Sequence, residues 1–148
     1  MKKIYLVLMV LLTIFISCDD DYSLSTDFSI PTELDSPDYI YVDLESSDQI
    51  RFSWSGGGAK DGSYVLYEVL FDKEGGDFSN PIYLKKSEYN TDPELRMTTE
   101  ELGVIARKAG INPLSKGKVI WTVRTSKGGV THSGGLHKEV LLERSWNR

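Results

Sequence analysis

The sequence has few of the residues that carry metal and nucleophilic chemistry. Among 148 residues there are one cysteine and two histidines. A single cysteine excludes an intramolecular disulfide framework and any metal site built from cysteines alone. Lysine and arginine number 17 against 22 aspartates and glutamates, so the net charge is −5. Apart from Lys2 and Lys3 the sequence has no basic block, and this excludes the positively charged patch that nucleic-acid binding requires.

The chain also lacks the length for two hydrophobic cores and an apolar run long enough to span a membrane. A chain of this size with 40% hydrophobic residues forms one globular domain, which excludes a multidomain enzyme. Residues 4–16 form an apolar run of 13 residues after the basic start Met1-Lys2-Lys3. That length is typical of a signal-peptide core. We therefore predict that residues 1–17 are a signal peptide that is removed.

Cys18 stands at the end of this run, directly after Ser17. A small residue followed by a lone cysteine resembles the lipobox of bacterial lipoproteins. The resemblance implies that the Cys18 thiol is diacylated, the preceding peptide is cut and the new amino terminus is acylated. Each buried methylene contributes about 0.8 kcal/mol, so two or three acyl chains hold a small protein on a membrane. The alternative is an incidental cysteine of the signal peptide.

Asp19, Asp20 and Asp21 follow the cysteine. This triplet resembles the export signal with which Bacteroidetes carry lipoproteins to the outer leaflet, and the alternative is a solvated charge cluster in a disordered arm. Loss of residues 1–17 removes two lysines and no acids, which leaves 15 basic and 22 acidic side chains and a net charge of −7. We do not expect this mature chain to bind anionic surfaces.

The rest of the chain divides into a predicted tether, residues 18–38, and one domain, residues 39–145. Aspartate, serine, threonine and proline dominate the tether, and Pro31 and Pro37 are incompatible with a central strand. At about 3 Å per extended residue, such a tether holds a domain up to roughly 60 Å from the lipid.

Apolar and polar residues alternate with period two beyond Tyr39, as is typical of half-buried antiparallel strands. Residues 64–71 are apolar in both alternations, which indicates a central strand whose inward face the sequence does not assign. Glycine pairs mark four connections and can take the positive φ of tight turns. About six or seven strands with such turns favour a mostly β sandwich over a parallel sheet. The predicted strands include 40–42, 50–54, 64–71, 82–84, 118–124 and 136–142.

One helix is predicted within this β pattern. Thr98 and Glu101 have the spacing of a capping box, and Gly110 supplies a left-handed stop. Leu102 and Ile105 fall on one helix face, so we expect the helix to pack across an open edge or end of the sandwich.

Five motifs follow one another along the chain: Phe52-Ser53-Trp54-Ser55, Tyr64-Val65-Leu66, Gly75-Gly76-Asp77-Phe78-Ser79-Asn80-Pro81, Leu102-Gly103 and Val119-Ile120-Trp121-Thr122-Val123. This ordered set resembles the N-terminal domain of the SusE family, outer-membrane lipoproteins of polysaccharide-utilisation systems in Bacteroidetes. The resemblance spans about Tyr39 to Leu142 and implies an immunoglobulin-like (fibronectin III-like) antiparallel β-sandwich with one inserted short helix. Trp54 and Trp121 are then core residues. Family members usually continue into further carbohydrate-binding domains. This chain ends at Arg148, so the resemblance assigns none of the sugar-contacting residues of those later domains to it.

Candidates for catalysis and metal binding are few. Asp72, Glu74 and Asp77 cluster in one loop, but glycoside hydrolysis needs two facing carboxylates with separated pKa values. Calcium binding by this loop is an alternative, although its spacing does not match an EF-hand. His132 and His137 provide too few ligands for zinc, which normally takes three or four. We predict no catalytic residue, no metal and no cofactor.

Exposed aromatic residues are the remaining candidates for binding. Tyrosines on sandwich strands more often pack half-buried than form a platform for sugar rings. We therefore predict a non-catalytic, surface-exposed outer-membrane accessory of polysaccharide uptake. Its expected partners are a TonB-dependent transporter, other surface glycan-binding lipoproteins and polysaccharide. The alternative is a general cell-surface scaffold or adhesin-like domain. The aromatic candidates are Tyr39, Tyr41, Tyr83, Tyr89 and Trp146.

Overall fold

The computed structural model describes residues 25–133 and 135–146. The predicted signal peptide (1–17), Cys18 and the Asp19, Asp20 and Asp21 triplet lie outside the described residues. In chain order the elements are β1 (Phe28–Ser29), β2 (Glu33–Asp35), β3 (Tyr39–Val42), β4 (Gln49–Ser55), β5 (Gly58–Ala59), β6 (Leu66–Lys73), β7 (Tyr83–Lys86), a 3₁₀ turn (Glu88–Asn90), β8 (Glu94–Thr98), α1 (Thr99–Lys108), β9 (Lys116–Lys127), β10 (Val130–Ser133) and β11 (Lys138–Arg144).

Most strands belong to two sheets that together form a sandwich. The larger sheet has the order β3–β11–β9–β6–β7, and β10 extends it by pairing with β9. The smaller sheet has the order β2–β4–β8, and β1 pairs with β5 alone. The predicted mostly β sandwich with one inserted helix is confirmed. One pairing differs from the expectation, since β3 and β11 run parallel. Period-two alternation is the same in both orientations, so it does not distinguish them.

Part of the predicted tether is built into the sheets. Residues Glu33–Asp35 pair with Ser53–Ser55 of β4, and Phe28 pairs with Ala59. The tether expectation therefore does not describe residues 28–35. Pro31 and Pro37 do exclude a central strand, but β2 is an edge strand, where proline flanks are tolerated.

Aromatic side chains of both sheets meet in the core. Phe52 of β4 lies 5.3 Å from Phe71 and 5.2 Å from Trp121 between ring centres, with nearly perpendicular planes. Trp54 lies 5.3 Å from Tyr67. Such edge-to-face pairs contribute about 0.5–1.5 kcal/mol beyond their buried area. Trp54 is 5% exposed and Trp121 is fully buried, so both are core residues as predicted.

Strands β6 and β9 are buried on both faces at their centres. Leu70, Ile120 and Thr122 are buried although they lie outside the main core cluster. The Thr122 hydroxyl donates a 2.6 Å hydrogen bond to the carbonyl of Leu136, in the segment that leads into β11. Cover on the outer face accounts for Leu70, whereas Tyr64 and Leu66 of the same alternation are 83% and 49% exposed.

Helix α1 has the predicted cap. The Thr98 hydroxyl accepts the Glu101 N–H at 3.2 Å, and the Glu101 carboxylate accepts the Thr98 N–H at 2.9 Å. Leu102 and Ile105 are buried, and the helix contacts β3, β8 and β11. Gly110 has a φ of 85°, which provides the expected left-handed stop. The helix thus joins the two sheets at one side of the sandwich.

Candidate functional site

The acidic loop after β6 uses its carboxylates to hold its own backbone. Asp72 is 7% exposed, and its carboxylate accepts the N–H groups of Lys73 at 2.8 Å and Phe78 at 3.1 Å. The Asp77 carboxylate accepts the hydroxyl of Ser79 at 2.6 Å and its N–H at 2.9 Å, and these bonds lower the pKa of Asp77. Asp72 and Asp77 therefore each have their own donors within the loop, whereas Glu74 forms an ion pair with Lys118 of β9 at 3.6 Å.

The two histidines are exposed and pack against different aromatic rings. His132 lies 4.9 Å from Phe28 and His137 lies 6.3 Å from Phe78 between ring centres. Among the described residues, no group of three or more histidine, cysteine, aspartate or glutamate side chains is placed to hold a metal ion.

Two of the candidate tyrosines, Tyr39 and Tyr41, lie on edge strand β3 and are about half exposed. The Tyr39 hydroxyl donates to the Glu143 carboxylate, a bond that raises the pKa of Tyr39 and lowers that of Glu143. The Lys116 ammonium lies 3.0 Å from Glu143 and 5.5 Å from the centre of the Tyr39 ring. Tyr39 is therefore tied to its own sheet, whereas Tyr41 projects from the same face.

A shallow groove of about 310 Å³ runs along the smaller sheet. Arg51 crosses it and donates to the Glu94 carboxylate at 2.9 Å. The Ser55 hydroxyl donates to Glu33 at 2.5 Å. These two bonds join neighbouring strands. The buried Nε1–H of Trp54, which also lines the groove, has no hydrogen-bond partner among the described residues. The remaining residues that line the groove are Asp35, Ser53, Asp92 and Pro93.

Tyr89 is the most exposed of the five candidate aromatics, at 86%, and it occupies a strained turn. Tyr89 and Asn90 have positive φ values of 50° and 64°. Non-glycine residues enter this region at a cost and remain there only where their surroundings hold them. Tyr83, in contrast, is half-buried and donates to Glu101 at 3.3 Å, while Trp146 is 73% exposed near the end of the described chain.

Hydrogen bonds hold the Tyr89 turn on both sides. The Glu88 carboxylate accepts the N–H of Arg96 in β8 at 3.1 Å, and the Glu88 carbonyl accepts the N–H of Asp92 at 3.0 Å. Ser87 donates its N–H to the carbonyl of Tyr67 in β6 at 3.1 Å. The turn is thus attached to both sheets, and the Tyr89 ring is presented by a fixed backbone.

A cavity of about 160 Å³ opens beside this turn on the outer face of the larger sheet. Glu68 lines it and accepts from Arg124 at 2.6 and 2.9 Å, with both bonds ending on the same carboxylate oxygen. Lys86 stands opposite Glu68 in the β6–β7 register, and Ser126 stands opposite Leu66. Asn90 and Tyr67 complete the lining.

The sequence gives only a weak signal for this cavity. Its polar residues Glu68, Lys86 and Ser126 lie on three different strands, and no local spacing links them. Asn90 carries the usable signal, because asparagine tolerates the left-handed conformation and marks turns. Tyr89 carries no turn signal of its own.

Comparison with protein families gave one match. Residues 19–124, more than half of the chain, match the family model described as SusE outer membrane protein. Neither curated proteins nor solved structures gave a match. Within the described residues, no helix has both the length and the apolarity needed to cross a bilayer.

Proposed function

The chain belongs to the SusE outer membrane protein family, and from this premise we propose that it is a lipid-anchored, non-catalytic accessory of a polysaccharide-uptake system. Cys18 carries the lipid, and Asp19, Asp20 and Asp21 direct the protein to the cell surface. The folded domain then docks beside a TonB-dependent transporter and other surface glycan-binding lipoproteins.

The family match is the observation that carries this proposal, because it begins at residue 19 and continues into the sandwich. The start of the sequence supports it, since Cys18 directly follows an apolar segment and Ser17. The acidic loop supports a non-catalytic role, because Asp72 and Asp77 hold separate sets of backbone and hydroxyl donors. A hydrolase would instead need two carboxylates facing one substrate bond.

The anchor is tested by mass spectrometry of the native protein. We expect a mature chain that begins at Cys18 and carries acyl chains on both its sulfur and its amino group. A Cys18→Ser variant is the matched control and should lose the acyl mass and the membrane fraction. An unmodified Cys18 thiol still preceded by Ser17 would overturn the proposed anchor.

The accessory role is tested by extraction of native membranes in a mild detergent. We expect the acylated protein to co-purify with a TonB-dependent transporter at a fixed ratio. Recovery without any such transporter, from membranes in which the transporter is present, would contradict the role.

The alternative, a general scaffold that assembles through an exposed strand edge, finds no support at β8. The Arg96 N–H is bonded to Glu88, and the Arg96 carbonyl accepts from Lys85 at 3.2 Å. Pro31 and Pro37 flank β2 at the opposite edge of the smaller sheet. Concentration-dependent assembly without a transporter would favour this alternative.

A further inference from the structure

Strand β3 lies at an edge of the larger sheet, with β11 as its one neighbour in the described part of the chain. The carbonyls of Asp38 and Val42 accept hydrogen bonds from the β11 side, at 2.9 and 3.0 Å. Carbonyl groups alternate in direction along a strand, and the N–H of each residue points the same way as its own carbonyl. The main-chain groups of Tyr39 and Tyr41 therefore face away from β11, toward the open edge.

The open edge of β3 has no charged residue and no proline to protect it. Tyr39 and Tyr41 are 47% and 51% exposed, whereas Ile40 between them is buried. Edge strands are normally protected by lysine, proline or a bulge. Such protection is present at β2, which prolines flank, and at β7, which contains Lys85 and Lys86. An unprotected edge with two half-exposed tyrosines is typical of a surface that pairs with another strand.

The charge around β3 favours a basic partner. Residues 28–50 contain six acidic side chains and no lysine, arginine or histidine. Asp38 lies 3.1 Å from Lys138. Asp43 and Glu45, which follow β3, have no ion-pair partner among the described residues. A second copy of this chain would bring the same acidic segment to the edge, and the like charges oppose self-pairing.

We propose that the open edge of β3 accepts an extended segment of a partner protein as a further strand, and that lysine or arginine residues flank this segment. The N–H and carbonyl groups of Tyr39 and Tyr41 bond to its main chain. Asp43 and Glu45 attract its basic end. This inference rests on the proposed function, in which the partner is the TonB-dependent transporter.

The two tyrosines contribute in different ways. The Tyr39 hydroxyl donates to Glu143, and the Lys116 ammonium lies 5.5 Å from the centre of its ring. Tyr39 is therefore held in place before a partner arrives, which lowers the entropy cost of binding. Tyr41 projects from the same face, and its ring packs against the side chains of the added strand.

The test compares variants of the full-length acylated protein after extraction of native membranes in a mild detergent. The readout is the amount of transporter that co-purifies with each variant. In Tyr41→Pro the open edge loses an outward N–H, so we expect at least about a tenfold fall in transporter. Its Tm should fall by less than about 5 °C, because an edge strand tolerates proline where the N–H faces solvent. Tyr41→Thr keeps this N–H and should retain more transporter than Tyr41→Pro.

A charge reversal tests the basic character of the partner. Glu45→Lys should reduce the co-purified transporter at least about threefold, because it repels a basic segment. Asp92→Lys is the matched control, the same reversal at the smaller sheet, and should behave as the wild type does. Washing at about 1 M instead of about 0.1 M NaCl should lessen the difference between these two variants.

The outcomes separate the edge from the accessory role. Equal amounts of transporter with the wild type and with folded Tyr41→Pro would overturn the edge and leave the role standing. A wild-type protein that brings down no transporter would remove the role and, with it, this partner. Equal losses in Glu45→Lys and Asp92→Lys would overturn the basic segment. If circular dichroism shows Tyr41→Pro to be unfolded, Tyr41→Thr and the two charge variants decide.

Light scattering tests the other occupant of the edge, a second copy of the chain. We expect the purified wild-type domain, residues 25–148, to be a monomer. A dimer that Tyr41→Pro converts to a monomer would show that the edge pairs with itself and would overturn the proposed partner.

Discussion

At the scale of single residues, the contacts of the Asp72 carboxylate stabilise the fold. Asp72→Ala leaves the N–H groups of Lys73 and Phe78 without their acceptor. We expect the free energy of unfolding to fall by about 1–3 kcal/mol, because these donors lie in a partly buried loop. Urea denaturation measures this loss. Asp77→Ala, at an exposed position, should change stability by no more than about 0.5 kcal/mol, and equal losses would contradict the assignment.

Ser36 makes a second single-residue test possible. The Nε1–H of the fully buried Trp121 donates to the Ser36 hydroxyl at 3.2 Å. Ser36→Ala leaves this donor unpaired and should cost about 1–3 kcal/mol of unfolding free energy. In Trp121→Phe the donor is absent, so Ser36→Ala should cost less in that background. Additive losses in a double-mutant cycle, measured in urea, would show that the bond does not contribute.

At the scale of elements, sequence patterns predict strands most clearly where one face is exposed to solvent. Alternation in 50–54 locates β4, which buries Phe52 and Trp54 and leaves Arg51 exposed. The pattern in 118–124 also locates β9, although that strand is buried at every position from 119 to 123. Strand β8 is harder to predict, since it has only Leu95 and Met97 as its buried alternation. The Tyr89 turn is harder still, because its conformation is imposed by bonds from Arg96 and Asp92, which follow it in the chain.

The cap of α1 gives the fold a defined response to acid. Burial pushes the pKa of Glu101 upward, but bonds from Lys85 and the Thr98 N–H outweigh it, so the pKa is lowered. The charged carboxylate therefore stabilises the fold fully above its ordinary pKa near 4.5, and this contribution is lost as pH falls through the lowered value. We expect the free energy of unfolding, measured in urea between pH 6 and about pH 3, to decline over that window.

Glu101→Gln is the control for this acid response, because it keeps the shape of the side chain and removes its titration. It should be less stable at neutral pH and should show a flatter decline below about pH 4.5. An identical pH profile in both proteins would contradict the role of Glu101.

At the scale of the whole molecule, the domain begins well before Tyr39. A chain that starts at residue 25 keeps β1 and β2, whereas one that starts at residue 39 loses Phe28, Leu34 and the Ser36 partner of Trp121. We expect the shorter chain to unfold at a Tm more than about 10 °C lower, because two apolar side chains and a buried bond are lost. Thermal circular dichroism compares the two chains, and equal Tm values would place the boundary at Tyr39.

Strand β9 relates the two ends of the domain to the proposed anchor. Phe28 enters beside His132, which pairs with Thr125 near one end of β9, and the cavity lies at Ser126 next to it. Strand β9 is 12 residues long, so its first residue, Lys116, lies roughly 36 Å away at the other end. A lipid on Cys18 would therefore be joined to the domain at the end of β9 where this cavity lies. The opposite end of β9, at Lys116, would then be the end farther from that point of attachment.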